Sequence, residues 1–262
     1  MQCRITSLVL LSLFLSACGS SSNSSRNVPL SGSLSGNWQM SMQDSTGTLP
    51  PITQSGFLVQ NGGAISGSMM VNDAPCSSVG SVGGTLTGTA VSLTENPTGL
   101  ALSLDGTLGS DQTTMSGNYT ILSMGCSASE SAPQTGSFTA NLVPPLNGNV
   151  TGTLTAKDMV TTYAVSGQIS QAANTGVSSI PLTGTLNFTG FCYPTANITG
   201  AISGTSVAIN LLNSTGKQVG QAIGTTSLDG TSITGSYRYL GLGKNGSQGC
   251  MLNGSGTFSF AL

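Results

Sequence analysis

A hydroxyl nucleophile needs a base beside it, and this 262-residue sequence contains no histidine. Its many serines therefore have no Ser-His-Asp partner. A Ser-Lys pair would have to use Lys157, Lys217 or Lys244, none of which lies in an SxxK motif. Paired carboxylates can hydrolyse a glycoside, and Asp105 with Asp111 are the nearest such pair in the folded region. Asp111, however, stands in Ser110-Asp111-Gln112 and Asp229 in Leu228-Asp229-Gly230, both turn sequences in which aspartate serves the backbone. Gly243-Lys244-Asn245-Gly246 lacks the spacing of a phosphate loop. Without histidine the commonest metal ligand is missing, and no CxxC replaces it. These residues predict a protein that is not an enzyme and has neither metal nor cofactor.

One residue has a nameable chemical role. Residues 1–17 comprise a short segment with the cation Arg4, an apolar run from Ile5 to Leu15, and a small-residue approach through Ser16 and Ala17. That is the layout of a secretory signal peptide. The run is too short for a spanning helix, which takes roughly 20 residues to cross a hydrocarbon core of ~30 Å. Directly behind it, Leu15-Ser16-Ala17-Cys18-Gly19 resembles the bacterial lipobox. The resemblance implies cleavage before Cys18, a diacylglycerol thioether on its sulfur, and a further amide-linked acyl chain such as palmitate. Gly19 and Ser20 stand where an aspartate often retains lipoproteins in the inner membrane, which implies the outer membrane of the cell envelope. The expected partner is thus a membrane, reached through the lipid.

Ser20 to Arg26 is a Ser/Asn tract with nothing to bury, so residues 18–32 read as a lipidated tether. Once Arg4 has left with the signal, five cations face eight carboxylates. Such sparse charge forms no basic stripe for phosphates, and nucleic acid is excluded as a partner.

From Leu34 onward, short alternating stretches rich in Thr, Val, Leu and Ile are punctuated by Gly or Asn-Gly. Alternation at period two with frequent turn signals predicts an all-β antiparallel meander. Strands are expected near 34–43, 53–60, 64–71, 81–87, 90–95, 100–108, 114–122 and 136–143. A second set is expected near 147–156, 161–169, 180–188, 196–203, 206–212, 217–226, 231–240 and 254–261. The halves match in spacing: Cys76 to Gly88 equals Cys192 to Gly204, and Gly106 to Gly117 equals Gly224 to Gly235. Gly117-Asn118-Tyr119 is answered by Gly235-Ser236-Tyr237, and Ser137-Phe138 by Thr257-Phe258. A duplicated unit explains these matches. Pro144-Pro145 cannot continue a ladder, and divides domain 1 (33–144) from domain 2 (145–262). Eight strands suffice in each to close a barrel that its side chains fill, or that holds one small ligand.

With Cys3 in the signal and Cys18 lipidated, Cys76, Cys126, Cys192 and Cys250 remain. Each half holds two, following strands that end at the same rim of a meander. Three connectivities are open to four cysteines, and the duplication favours Cys76 with Cys126 and Cys192 with Cys250. In the oxidising compartment of an exported protein such bridges persist, each worth roughly 4 kcal/mol in the chain-entropy account.

Trp38, the single tryptophan, lies in Gly36-Asn37-Trp38 on the first strand. Gly-x-Trp at the head of an eight-stranded meander is similar to lipocalins and avidin-like barrels, where the tryptophan closes the barrel base or touches ligand. Trp38 is accordingly expected as a barrel plug or a ligand contact. The second half has Val150 there, and the tryptophans of a biotin pocket are missing. Gly117-Asn118-Tyr119, the Cys126 loop, Gly136-Ser137-Phe138-Thr139-Ala140 and Val143-Pro144-Pro145-Leu146 resemble duplicated Gly/Thr-rich β-meander lipoproteins of soil bacteria, which have no assigned activity. Three readings follow. The first is a non-enzymatic envelope lipoprotein of two barrels with space for a small apolar ligand. The second is a structural or adhesive module meeting an envelope protein or glycan through polar faces or sheet edges. The third is a single sixteen-stranded outer-membrane barrel.

Overall fold

The computed structural model describes residues 33–72, 78–97, 100–124, 134–157, 160–190, 194–239 and 254–262. The first barrel runs through β1 (Gly36–Asp44), β2 (Ile52–Asn61), β3 (Ala64–Asn72), β4 (Ser78–Thr87), β5 (Ala90–Pro97), β6 (Leu100–Leu108), β7 (Thr114–Met124) and β8 (Gln134–Val143). The second runs through β9 (Gly148–Ala156), β10 (Thr162–Gln171), β11 (Ile180–Phe188), β12 (Thr195–Ser203), β13 (Ser206–Leu212), β14 (Gln218–Thr226), β15 (Ser232–Tyr239) and β16 (Ser255–Ala261). Each of the sixteen expected strands is present. Consecutive strands pair antiparallel, β1 closes on β8 and β9 closes on β16. The single sixteen-stranded barrel is thereby overturned. Val143 ends one ladder and Gly148 begins the next, with Pro144 and Pro145 unable to donate to either. Closure also leaves no free strand edge along either barrel, so adhesion through sheet edges has no basis.

Period-two alternation sets the inside. Trp38, Met40 and Met42 of β1 point inward with Leu93 and Leu104, and Val165, Ile198, Ile209 and Phe258 do the same in barrel 2. The interior of an eight-stranded barrel is just wide enough for inward side chains to fill or for one small ligand. Most strands accordingly carry one inward glycine at a point where a neighbouring backbone crosses closely. A Cβ on Gly117 would run into the carbonyl oxygen of Asp105, and one on Gly235 into that of Ile223. Gly106 pairs with Gly117 and Gly224 with Gly235. The Phe138 ring lies across the first glycine pair, as Phe258 does across the second; a Cβ on Gly224 would meet the Phe258 ring at 2.8 Å.

The registers align the two barrels residue by residue. Gly36 stands opposite Leu58 in barrel 1 and Gly148 opposite Ile169 in barrel 2. Gly67 then corresponds to Gly184, Gly84 to Gly200 and Tyr119 to Tyr237. The chain enters both barrels in the same way: Leu34 N–H donates to Gln60 Oε1 at 2.8 Å, and Leu146 N–H to Gln171 Oε1 at 3.1 Å, with both leucines fully buried. The duplication read from glycine spacing is therefore a repeat of the whole fold.

The outer wall of β1–β2 rests on one rim of barrel 2. Asn37 grips the β12–β13 turn with both ends of its amide: Nδ2 donates to Gly204 O at 2.8 Å, and Gly204 N–H donates to Asn37 Oδ1 at 2.7 Å. Beside it Thr205 N–H donates to Gln39 Oε1 at 3.1 Å, and the hydroxyls of Ser55 and Ser203 are 2.8 Å apart. From the β10–β11 loop, Asn174 Nδ2 donates to Leu58 O at 2.7 Å. Phe57, an outward residue of barrel 1, is buried in the apolar core of barrel 2. Val150 holds in that barrel the position of Trp38.

Adjacent glycines of β4 give a direct test of the close-approach argument. A Cβ on Gly84 would strike the Ser92 carbonyl, whereas one on Gly83 meets nothing within 4 Å. In thermal or denaturant unfolding, Gly84→Ala should destabilise by about 2 to 3 kcal/mol, and Gly83→Ala should leave stability within ~0.5 kcal/mol. Equal effects of the two would refute the account.

Candidate functional site

Trp38 is buried in the core of barrel 1, and its indole Nε1–H donates to Leu34 O at 2.9 Å. The bond fixes the indole beneath the incoming chain, with both side chains in the same buried cluster. Cys18, Cys76, Cys126, Cys192 and Cys250 lie outside the described residues. The strand ends that flank each expected pair, β3 and β7 in barrel 1 and β11 and β15 in barrel 2, do share one rim.

The carboxylates weighed for glycoside hydrolysis are not brought together in a cleft. Asp105 is exposed on β6. Asp111 caps its turn, accepting from Thr113 N–H at 3.0 Å and Thr114 Oγ1 at 3.1 Å, and these bonds, the first above all, lower its pKa. Asp229 does likewise for the β14–β15 turn, with hydrogen bonds led by the Ser227 hydroxyl lowering its pKa to about 2. Asp44 closes the β1–β2 connection, held at about 2 chiefly by the Thr46 hydroxyl. Among the described residues no cluster of His, Cys, Asp and Glu could hold a metal ion.

Two features escaped the sequence reading. The first is a polar bar across the lumen of barrel 1. Gln54 on β2 and Glu95 on β5, both fully buried, meet with Gln54 Nε2 donating to Glu95 Oε2 at 2.8 Å. Their Oε1 atoms have no hydrogen-bond partner. Burial pushes the Glu95 carboxyl up to about 8 against the opposing pull of Gln54, so it is protonated at neutral pH. In barrel 2 the corresponding residues are Val165 and Leu211, both buried and apolar. The fold thus closes equally well without the pair. The signal was present in the sequence: Val91, Leu93 and Glu95 share the inward phase of β5, an acid where the duplicate has leucine.

The second feature is an open groove of about 740 Å³ on the outer wall of β9–β11, lined among others by Asn149, Gly167, Gln168, Gly184, Thr185 and Asn187. The amides of Asn149, Gln168 and Asn187 and the hydroxyl of Thr185 form its polar face. Gln168 Nε2 donates to Asn149 Oδ1 at 3.2 Å, and Thr195 Oγ1 to Asn187 Oδ1 at 3.0 Å. The lining carries no charged side chain, so the groove is suited to neutral hydrogen-bonding partners.

No family model and no curated protein matches this chain. Among solved structures it is similar to kievitone hydratase from Nectria haematococca, at 8% identity over 89% of this chain and 92% of that one, with a TM-score of 0.25. It is also similar to a protein of unknown function from the DUF3598 family of Nostoc punctiforme, at 13% identity over 87% and 96% of the two chains, with a TM-score of 0.23. Likenesses so slight carry nothing to the chemistry of this chain, and the buried pair must be tested on itself. The unfolded chain releases the Glu95 proton near the ordinary glutamate range and the folded chain only near 8. Between those values the folded state holds the extra proton, so stability falls as pH rises and levels off above the folded pKa. Glu95→Gln should remove that slope and, at pH 9, stabilise by an amount on the order of 3 kcal/mol. Denaturant unfolding at pH 5, 7 and 9 reads it; parallel profiles for the two proteins would sink the assignment.

Proposed function

We propose that the chain is a non-enzymatic, lipid-anchored envelope protein whose paired barrels act as a rigid interaction module through their outer walls. The observation that carries this reading is that inward side chains are buried against one another, while the open groove lies outside. A carrier needs an interior that cargo can occupy. Side chains lining such a space keep accessible surface toward it, yet Leu93, Leu104, Ile202 and Ile233 have at most 1%. The groove instead presents amides and hydroxyls to a polar protein surface or a neutral glycan.

Cys18 and the tether hold this module at the membrane, with Gly19 and Ser20 favouring the outer one. Pairing of Cys76 with Cys126 and of Cys192 with Cys250 would brace the rims away from the contact between the barrels. The rival reading, a shelter for a small apolar ligand, is separated by what copurifies with the mature protein. Mass spectrometry should recover no stoichiometric small molecule, and pull-down from envelope extracts should return a reproducible protein or glycan; a stoichiometric lipid would make the barrels carriers. The anchor is tested by feeding cells an alkyne analogue of palmitate. The full chain should take up label and sediment with membranes, and Cys18→Ser should abolish both; label surviving that substitution would place the lipid elsewhere.

A further inference from the structure

The groove on barrel 2 corresponds, position by position, to the part of barrel 1 that barrel 2 covers. Asn149 matches Asn37, Gln168 matches Phe57, Ile169 matches Leu58 and Gly184 matches Gly67. In barrel 1 those four positions meet the other barrel: Asn37 grips Gly204, Phe57 enters its core, Leu58 O accepts from Asn174, and Gly67 lies 3.5 Å from a Cβ placed on Gly176. In barrel 2 the same surface is open. The gripped turn is duplicated too. Ser203-Gly204-Thr205 has its counterpart in Thr87-Gly88-Thr89, with glycine at positive φ in both, 54° and 63°. Nothing lies within 4 Å of a Cβ on Gly88, and Thr87 and Thr89 are exposed.

Each chain therefore carries an occupied wall-and-turn joint in its middle, plus a vacant wall on barrel 2 and a vacant turn on barrel 1. We propose that the β9–β10 wall docks the β4–β5 turn of a second copy, Asn149 gripping Gly88 as Asn37 grips Gly204, so that the chain assembles head to tail. The inference rests on the outer-wall reading above and names its partner. Because wall and turn are different surfaces, the contact does not close on itself in a pair and can add further copies.

The vacant surfaces also differ from the joint in ways that set its strength. Gln168 replaces the plug Phe57, and Thr151 replaces Gln39. The short turn at Gly62-Gly63 replaces the longer β10–β11 loop that brings Asn174. The joint between copies is thus polar, without an aromatic anchor, and lacks the high effective concentration of two barrels on one chain. It is a reversible contact that depends on local crowding at a membrane.

The test uses the full lipidated chain in intact envelopes, with a photo-crosslinking benzophenone amino acid in place of Gln168. Illumination should give a ladder of multiples, with the crosslink mapping to the segment around Gly88 of another copy. Gly88→Asn tolerates the positive φ of the turn, but its Cβ would occupy the place that on Gly204 abuts Gln39 and Ser55. It should lower the crosslinked yield about tenfold. A mixture of crosslinker chains bearing Gly88→Asn with crosslinker-free chains bearing Asn149→Ala should stop at dimers. Crosslinking to a different protein or to a glycan would overturn self-assembly and leave the outer-wall reading standing. No crosslink, together with a stoichiometric copurifying small molecule, would overturn both.

Discussion

Closing eight strands into a barrel forces neighbouring backbones together, and the rest of the molecule follows from where that crowding is relieved. Relief comes from the inward glycines. At Gly106 and Gly117, and again at Gly224 and Gly235, paired glycines let the strands bend across one another and leave a shelf for Phe138 or Phe258. Large residues then alternate with absent side chains around the wall, so the interior fills without overpacking.

The same fold is built twice, and its differences are as informative as its repeats. Barrel 1 buries Trp38 and Leu34 in its own core, whereas barrel 2 has Val150 and takes in Phe57 from its neighbour. That contact, with the amide of Asn37 seated on the Gly204 turn, converts two barrels on a string into a joined pair. Gln54 and Glu95 differ in the opposite sense. They place an acid and an amide where the duplicate has Val165 and Leu211, at a cost to stability that the fold does not demand.

Much of this was legible in the chain. Period-two alternation located every strand because one face of each is buried and the other solvated, so hydropathy records which way a side chain points. Glycine spacing disclosed the duplication, because a position where Cβ would strike a neighbouring carbonyl tolerates no other residue, and it recurs at the same offset in each copy. Asp111 and Asp229 were readable as turn residues because an aspartate bonds the backbone two residues on, a local event. Glu95 was readable in principle, as an acid in the inward phase of β5.

The strand order, the repeat and the break at Pro144-Pro145 can be read from the chain alone, since each depends on residues near one another in it. That β1 closes on β8 and not on β16, that Gln54 reaches Glu95 across the lumen, and that Phe57 packs into the next barrel are visible in the folded chain alone. These are meetings of residues far apart in sequence, selected by barrel closure and shape, and no local pattern encodes them. Trp38 was legible as an inward residue of β1; the acceptor of its indole N–H, the Leu34 carbonyl, was not.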